Sequence, residues 1–236
     1  MNNIYEPEFV KQLFNQMSSS YERMNYITSF GFSIRWRKQF LKKLGKSHEN
    51  LHVIDLLSGL GENWKFLKQN FPNAEFYALD FSENMIRQSQ GKAHHVFKNR
   101  LHLLCDNILE NKLESNQFDV ISCAYGLKTF NEEQLHRLAK EVHRILKPNG
   151  KFSFVEVSKP KNKLLLYCFG FYLGKIIPIL GKLFLGNSED YKMLWVYMNQ
   201  FENSEKVKQI FESYNLKVNL DTYFGGCATG ISGEKK

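Results

Sequence analysis

Two short segments, Asp55-Leu56-Leu57-Ser58-Gly59-Leu60-Gly61 and Ala78-Leu79-Asp80-Phe81-Ser82, decide how this chain folds. The first closes the apolar run 51–57 and opens a helical pattern; the second closes another short apolar run and starts a second helix. Glycines let the backbone approach a ligand closely, and a carboxylate at a strand end can accept hydrogen bonds from both hydroxyls of a ribose. Gly61 and Asp80 are separated by close to the ~20 residues that dinucleotide-type folds place between glycine turn and acidic residue. The spacing predicts a ligand that carries a nucleoside.

The ligand is not predicted to be a nicotinamide dinucleotide. A Gly-x-Gly-x-x-Gly fingerprint would place a third glycine where Trp64 stands, and an indole is too large for the close helix–strand packing that glycine permits. An aspartate ahead of the glycines fits instead the Asp-x-Gly-x-Gly-x-Gly turn of S-adenosylmethionine (SAM) enzymes, with Leu57 in the place of the first glycine. The competing reading is an ordinary strand–turn–helix with glycine at its turn, and the paired Asp80 strand end weighs against it.

At 236 residues the chain suffices for one substantial core, or for one domain with an insertion. Twenty Phe and eleven Tyr imply large apolar or ring-shaped surfaces to be covered, inside or at a site. The formal charge of +8 is spread along the chain, and no helix-turn-helix, zinc-finger or aromatic RNA-binding signature accompanies it. Nucleic acid is therefore not expected as a partner, whereas peripheral contact with an anionic membrane stays open. Cys105, Cys123, Cys168 and Cys227 lie far apart without a Cys-x-x-Cys pair, the N-terminus is polar, and no metal site is expected. These features imply a reduced, cytoplasmic compartment. The most apolar stretch, 164–186, is interrupted by Lys175, Pro178 and Lys182, so its uncharged runs fall short of the ~20 residues a bilayer span requires.

Periodicity predicts helices over 7–45, with Phe9, Val10, Leu13, Phe14 and Met17 on one face. Strands follow at 51–57, 75–80, 101–105, 118–124 and 151–157, and helices at about 61–70 and 83–90 separate the first three. Asn131 and Gln134 form a capping box ahead of the stripe Leu135, Leu138, Val142, Ile145 and Leu146, and Pro148-Asn149-Gly150 ends that helix. A helical insertion at 160–200, a helix near 204–213 and two closing strands complete the chain. Such alternation predicts an α/β fold: a seven-stranded, mostly parallel sheet with helices on both faces, binding ligand beyond the carboxyl ends of the first and fourth strands.

In this order and spacing the chain resembles a Rossmann-like class I SAM-dependent methyltransferase, and more narrowly the ubiquinone/menaquinone biosynthesis C-methyltransferases. The resemblance runs through Phe14, Ser20-Tyr21-Glu22-Arg23-Met24-Asn25, Ser29-Phe30-Gly31 and Trp36, then Tyr125-Gly126-Leu127. It continues through Arg144-Ile145-Leu146-Lys147-Pro148-Asn149-Gly150 and Val155-Glu156-Val157-Ser158-Lys159-Pro160. It ends in the insertion, at Phe171-Tyr172, Ile177-Pro178-Ile179-Leu180-Gly181 and Asp190-Tyr191-Lys192-Met193-Leu194. Leu57, Leu60 and Lys128-Thr129 depart from it, the last standing where the family has Arg-Asn near the quinol head group. The resemblance implies a single domain with a helical cap over 1–47, a SAM-binding core over 48–158, a lid-like insertion over 159–202 and a closing helix and strand pair over 203–236.

SAM is the implied cofactor. By the same resemblance Asp80 takes the ribose hydroxyls, Asp106 and Asn107 read the adenine edge, and Gly59 and Gly61 pass the methionine end. Asp55, Ser58, Leu60, Phe81 and Ala124 complete the cofactor set. The implied acceptor is an aromatic small molecule, quinol-like or phenolic and conceivably prenylated, and the enzyme is compatible with a homodimer. C-methylation needs phenolate character on the ring and a base or cation within hydrogen-bond reach. Glu62, Lys128, Asp190 and Tyr191 are the candidates; Glu62 could equally serve the dipole of a helix N-terminus, and Lys128 could be an ordinary solvated lysine. Transfer to O or N of a soluble metabolite, and SAM binding without transfer, are the competing functions.

Overall fold

A computed structural model of the chain describes residues 4–19, 21–29, 31–98, 100–176, 179 and 188–236; the side chains of 23–24, 27–28, 173, 188–192 and 194 are outside that description. Three helices open it: α1 (Pro7–Met17), α2 (Tyr21–Thr28) and α3 (Phe32–Lys42). There follow β1 (His52–Leu56), α4 (Trp64–Asn70), β2 (Glu75–Asp80), α5 (Glu83–Phe97), β3 (Leu101–Cys105), β4 (Phe118–Ala124), α6 (Glu132–Ile145) and β5 (Leu146–Val157). The last part holds α7 (Lys163–Phe171), a π-turn at Tyr172–Ile176, α8 (Ser188–Phe201), α9 (Glu205–Glu212), β6 (Leu216–Tyr223) and β7 (Ala228–Lys235).

The sheet runs β3-β2-β1-β4-β5-β7-β6, and β7 runs opposite to the other strands, pairing antiparallel with β5 and β6. The order reverses between β1 and β4, so their carboxyl ends frame a crevice, as the alternating pattern predicts. Val53, Ile54, Val120 and Ile121 are wholly buried or nearly so, as strands covered on both faces must be.

Three observed elements differ from the sequence reading. Helix α5 continues through Gly91 to Phe97 because Ala93 and Phe97 pack inward, the Phe97 ring lying 4.4 Å from Phe76 and 6.0 Å from Trp64. Strand β5 begins at Leu146, immediately after α6, and absorbs Pro148-Asn149-Gly150 as a kink with Asn149 at φ 62° and a register shift against β4. Trp64 is no obstacle to close packing: it is 1 % exposed at the start of α4, and the glycine turn makes room for it. A Cβ on Gly61 (φ 76°) would stand 2.3 Å from the Trp64 ring.

Capping fixes where helices start beside the crevice. The Ser82 hydroxyl accepts from the Met85 N–H at the head of α5, and Asn131 with Gln134 forms the full capping box at the head of α6. Asn15 ties α1 over the same corner, its side-chain carbonyl accepting from the Ser82 hydroxyl at 2.6 Å and the Asn84 N–H at 3.1 Å. Of the insertion, Ile177, Pro178, Leu180 and Gly181 lie outside the described residues. Among the described residues no helix is long and apolar enough to cross a membrane, and no group of His, Cys, Asp or Glu side chains is gathered to hold a metal.

Candidate active site

At the carboxyl ends of β1, β2 and β4 lies a narrow pocket lined by Ser58 and Gly59, by Asp80 and Phe81, and by Ala124, Tyr125 and Gly126. The Asp80 carboxylate is fixed by two backbone donors, Gly59 N–H to Oδ2 at 2.8 Å and Ser82 N–H to Oδ1 at 2.9 Å. Burial pushes Asp80 up to about 6, against the pull of those two bonds. Each carboxylate oxygen keeps accepting capacity for a further donor such as a sugar hydroxyl.

Beneath the glycine turn, Asp55 at the end of β1 accepts from Ser122 Oγ at 2.6 Å and Asn63 Nδ2 at 3.0 Å, both on Oδ1. Desolvation raises it to about 7, with those hydrogen bonds opposing. Asp55 Oδ2, Asn63 Oδ1 and Ser58 Oγ are buried and have no protein partner. Orphaned acceptors of this kind are costly unless a ligand satisfies them. An acidic, acceptor-rich floor beside a wall bare of side chains at Gly59 fits SAM, whose amino-acid end bears an ammonium and whose sulfur is cationic.

Leu57 occupies the first-glycine place at φ 52°, a conformation that disfavours a bulky residue. Its side chain lies against Gly126, where a Cβ would stand 2.3 Å from Leu57 Cδ1, so a glycine lost from one loop is matched by one kept in the facing loop. A second narrow pocket adjoins beyond Leu57 and Phe81 and includes Asn107, Ile108 and Thr129.

The cavity's other end carries groups the sequence reading overlooked. Arg37 of α3, 5 % exposed, donates to Glu62 at 3.1 Å and stacks 4.6 Å from the centre of the Tyr125 ring. Tyr125 donates to Ser33 O at 3.2 Å, and burial raises the phenols of both Tyr125 and Tyr21. Burial works against the Arg37 charge, and Glu62 foremost restores it. A signal was available: Ser33, Arg37, Phe40 and Leu41 share the inward face of α3, so Arg37 interrupts an otherwise packed stripe.

Of the expected residues, Ser58, Gly59, Glu62, Asp80, Phe81 and Ala124 line the cavity, Asp55 lies under it, and Asn107 lines the adjoining one. Leu60 and Gly61 do not: they line a neighbouring pocket, and Leu60 packs with Met17, Tyr21 and Met85, the last two of which also face the cofactor cavity. The Asp106 carboxylate accepts from the Asn107 N–H at 2.8 Å and lines neither cavity. Lys128 is not a free ammonium: it donates to Glu156 Oε1 and to Tyr125 O, each at 2.8 Å, inside the protein. Asp190 and Tyr191 belong to α8, and their side chains lie outside the described residues.

Comparison with known proteins shows the family and the fold. The sequence profile of the ubiE/COQ5 methyltransferase family matches residues 1–235. A demethylmenaquinone methyltransferase of Lactococcus lactis is 32% identical over 206 residues, covering 86% of this chain and 80% of its own. Another from Staphylococcus haemolyticus is 30% identical over 241 residues, covering 99% and 97%. Among solved structures, a SAM-dependent methyltransferase from Thermotoga maritima shares the fold at a TM-score of 0.64 and 16% identity, covering 95% of this chain and 99% of its own. A phosphoethanolamine N-methyltransferase from Haemonchus contortus, solved with S-adenosylhomocysteine, does so at 0.61 and 14%, covering 93% and 60%.

Proposed function

Because the chain belongs to the ubiE/COQ5 methyltransferase family and is a SAM-dependent methyltransferase, we propose that it methylates a ring carbon of a quinol-like acceptor. SAM, when bound, supplies a methyl already activated on a sulfonium. The rest falls to the protein: hold the acceptor in line with that methyl, exclude water and take up one proton.

The observation that carries the reading is the Arg37–Glu62 pair beside Tyr125, a buried cation, a carboxylate and an aromatic face at one end of the cofactor cavity. A quinol ring set against Tyr125 presents a hydroxyl to Glu62, which accepts its proton. Arg37 then stabilises the phenolate oxygen, and the charge delocalised to the ortho carbon makes that carbon the nucleophile that takes the methyl as its bond to sulfur breaks. Loss of the hydrogen that carbon carried, with return of a proton to the oxygen, restores the aromatic ring and leaves one proton released overall. Phe14, Tyr21 and Phe81 surround the space and keep water from it. The naming of the relatives as demethylmenaquinone methyltransferases supports a quinol of naphthalene type.

The acceptor's surroundings extend the reading. Helix α7 packs Leu165 and Phe169 inward and leaves Leu164 (74 % exposed), Tyr167 (72 %) and Phe171 (54 %) on its outer side. Exposed Lys161, Lys163 and Lys175 flank that stripe. An apolar stripe edged by lysines suits peripheral contact with an anionic lipid surface, where lipid-dissolved quinols reside.

The test uses SAM carrying a deuterated methyl group, reduced naphthoquinols and the recombinant protein. Mass spectrometry and NMR of the product should place the label on a ring carbon, and Glu62→Gln should lower kcat by about 100-fold, in the range of general-base contributions, with SAM affinity retained. Label on oxygen, or no transfer, would sink the proposal.

A further inference from the structure

Three buried hydroxyls meet where the chain leaves β5 and where it returns from α8. Ser158, just past β5, and Ser204, at the head of α9, are each 0 % exposed, and Thr229 of β7 is 6 % exposed. Thr229 Oγ1 lies 2.6 Å from Ser158 Oγ, accepts from the Ser204 N–H at 2.9 Å and donates to Ser204 Oγ at 3.0 Å. A hydroxyl has one hydrogen and two lone pairs, so this one is fully used and Ser158 is the donor in the first contact. Ser204 holds an N-cap place, where a serine ordinarily accepts from its own helix. Here it does not: Asn203 Oδ1 accepts from the Glu205 N–H at 2.8 Å, and the Ser204 hydroxyl turns to Thr229.

This junction joins both stems of the segment 159–202. The Lys159 N–H donates to Glu202 O at 2.7 Å, with Glu202 in the left-handed region at φ 57°, and the Ser158 N–H donates to Cys227 O at 2.9 Å. Just before the second stem, α8 reaches the site in two places. It packs against the turn Leu127–Thr129, whose last residue lines both narrow pockets. Its Tyr197, wholly buried, donates to Ile4 O at 2.5 Å and meets the Tyr5 ring edge-on at 5.9 Å. Ile4 and Tyr5 lead into α1, which lays Phe14 along the cofactor cavity, and Tyr5 itself lines the adjoining pocket. A continuous set of contacts therefore runs from Thr229 through α8 to the N-terminal segment.

We propose that Thr229 is a positioning residue for methyl transfer: its hydroxyl fixes the place of α8 and, through Tyr197, of the N-terminal segment that walls the cofactor site. Thr229 lines neither pocket, so it acts only through these elements. Valine matches threonine in shape and lacks the hydroxyl, so Thr229→Val leaves the buried Ser204 N–H without its acceptor and unties both serines. The stems then separate more readily, and α8 lifts with the N-terminal segment. The consequence falls on how long the donor and its demethylated product are retained.

The test follows stopped-flow release of S-adenosylhomocysteine from the recombinant protein, which requires no methyl acceptor. Thr229→Val should release it at least about fivefold faster, the scale of one buried hydrogen bond, and Thr229→Ser should stay within about twofold of the wild type. Tyr197→Phe should also speed release. The double variant Thr229→Val with Tyr197→Phe should be no faster than the quicker single one, because the two bonds act in series on the same elements. Unchanged release from Thr229→Val, failure of serine to rescue, or multiplication of the two single effects overturns the proposal. Should Thr229→Val fail to fold, hydrogen exchange of the wild-type protein decides. S-Adenosylhomocysteine should slow exchange at 158–160, at 201–204 and along α8; exchange there that the ligand leaves unaltered overturns the assignment.

Discussion

The ammonium of Lys128 and the carboxylate of Glu156 meet at 2.8 Å with side chains 6 % and 0 % exposed. Glu156 also accepts from the backbone N–H groups of Lys128 and Val157. The pair staples the loop after β4 to the end of β5 and so sets the position of Tyr125, whose carbonyl accepts from the same ammonium. Removing one partner leaves an uncompensated buried charge. Lys128→Ala should therefore destabilise the protein by about 3–5 kcal/mol in urea unfolding, and Lys128→Met with Glu156→Gln should recover much of that. A loss of turnover without a loss of stability would instead return Lys128 to the chemistry.

Gly61→Ala tests the turn from the other direction. The added methyl meets the Trp64 ring and sits at φ 76°, so stability should fall by roughly 1–3 kcal/mol. Trp64→Leu in the same chain should relieve the clash and recover part of the loss, read as a rise in the urea midpoint over Gly61→Ala alone.

Asp55 and Asp80 give the protein a pH signature. Both are raised by burial, to about 7 and about 6, above an ordinary carboxylate. The folded state thus binds their protons more tightly than the unfolded chain does. Their stabilising contribution is complete below about pH 4 and is lost as pH rises through 6 and 7. Melting temperatures of the ligand-free protein should fall across that window, less steeply in Asp55→Asn.

Binding of the cationic donor reverses the sign, because it favours the ionised carboxylates. SAM affinity should weaken by about tenfold from pH 7 to pH 5, with proton release on binding near pH 6 visible as buffer-dependent calorimetric heat. A flat affinity profile would detach Asp80 from the ligand.

Membrane contact is checked on the α7 stripe. Sedimentation with vesicles containing anionic lipid should carry down the wild-type protein, and Leu164→Asp with Tyr167→Asp should leave most of it in the supernatant, while S-adenosylhomocysteine affinity is unchanged. Equal sedimentation of both proteins would discount the helix as the contact.

Strand positions, the capping box at Asn131 and the association of the glycine turn with Asp80 were legible because each depends on residue pattern and spacing. Gly59 and Asp80 do meet, at 2.8 Å. Tertiary partners were not legible. Lys128 reads as a solvated lysine until Glu156, remote in sequence, is folded under it, and Arg37 reads as one of several basic residues on α3 until Glu62 meets it. The extension of α5 through Gly91 was invisible because Phe97 gains its packing from Phe76 and Trp64, which overrides the local preference for a stop. Leu60 was assigned to the cofactor by its place in the motif, whereas in the fold it lines the neighbouring pocket.

Helix α1 lays Phe14 along the cofactor cavity and is pinned to the head of α5 chiefly at Asn15, whose amide oxygen accepts from the Ser82 hydroxyl and the Asn84 N–H, with a Lys11–Glu83 ion pair beside it. This latch lies outside the chemistry, and it is expected to set the residence time of the donor. Stopped-flow dissociation from Asn15→Ala should be several-fold faster than from the wild type, since the three side-chain hydrogen bonds of Asn15 no longer have to break before the helix lifts.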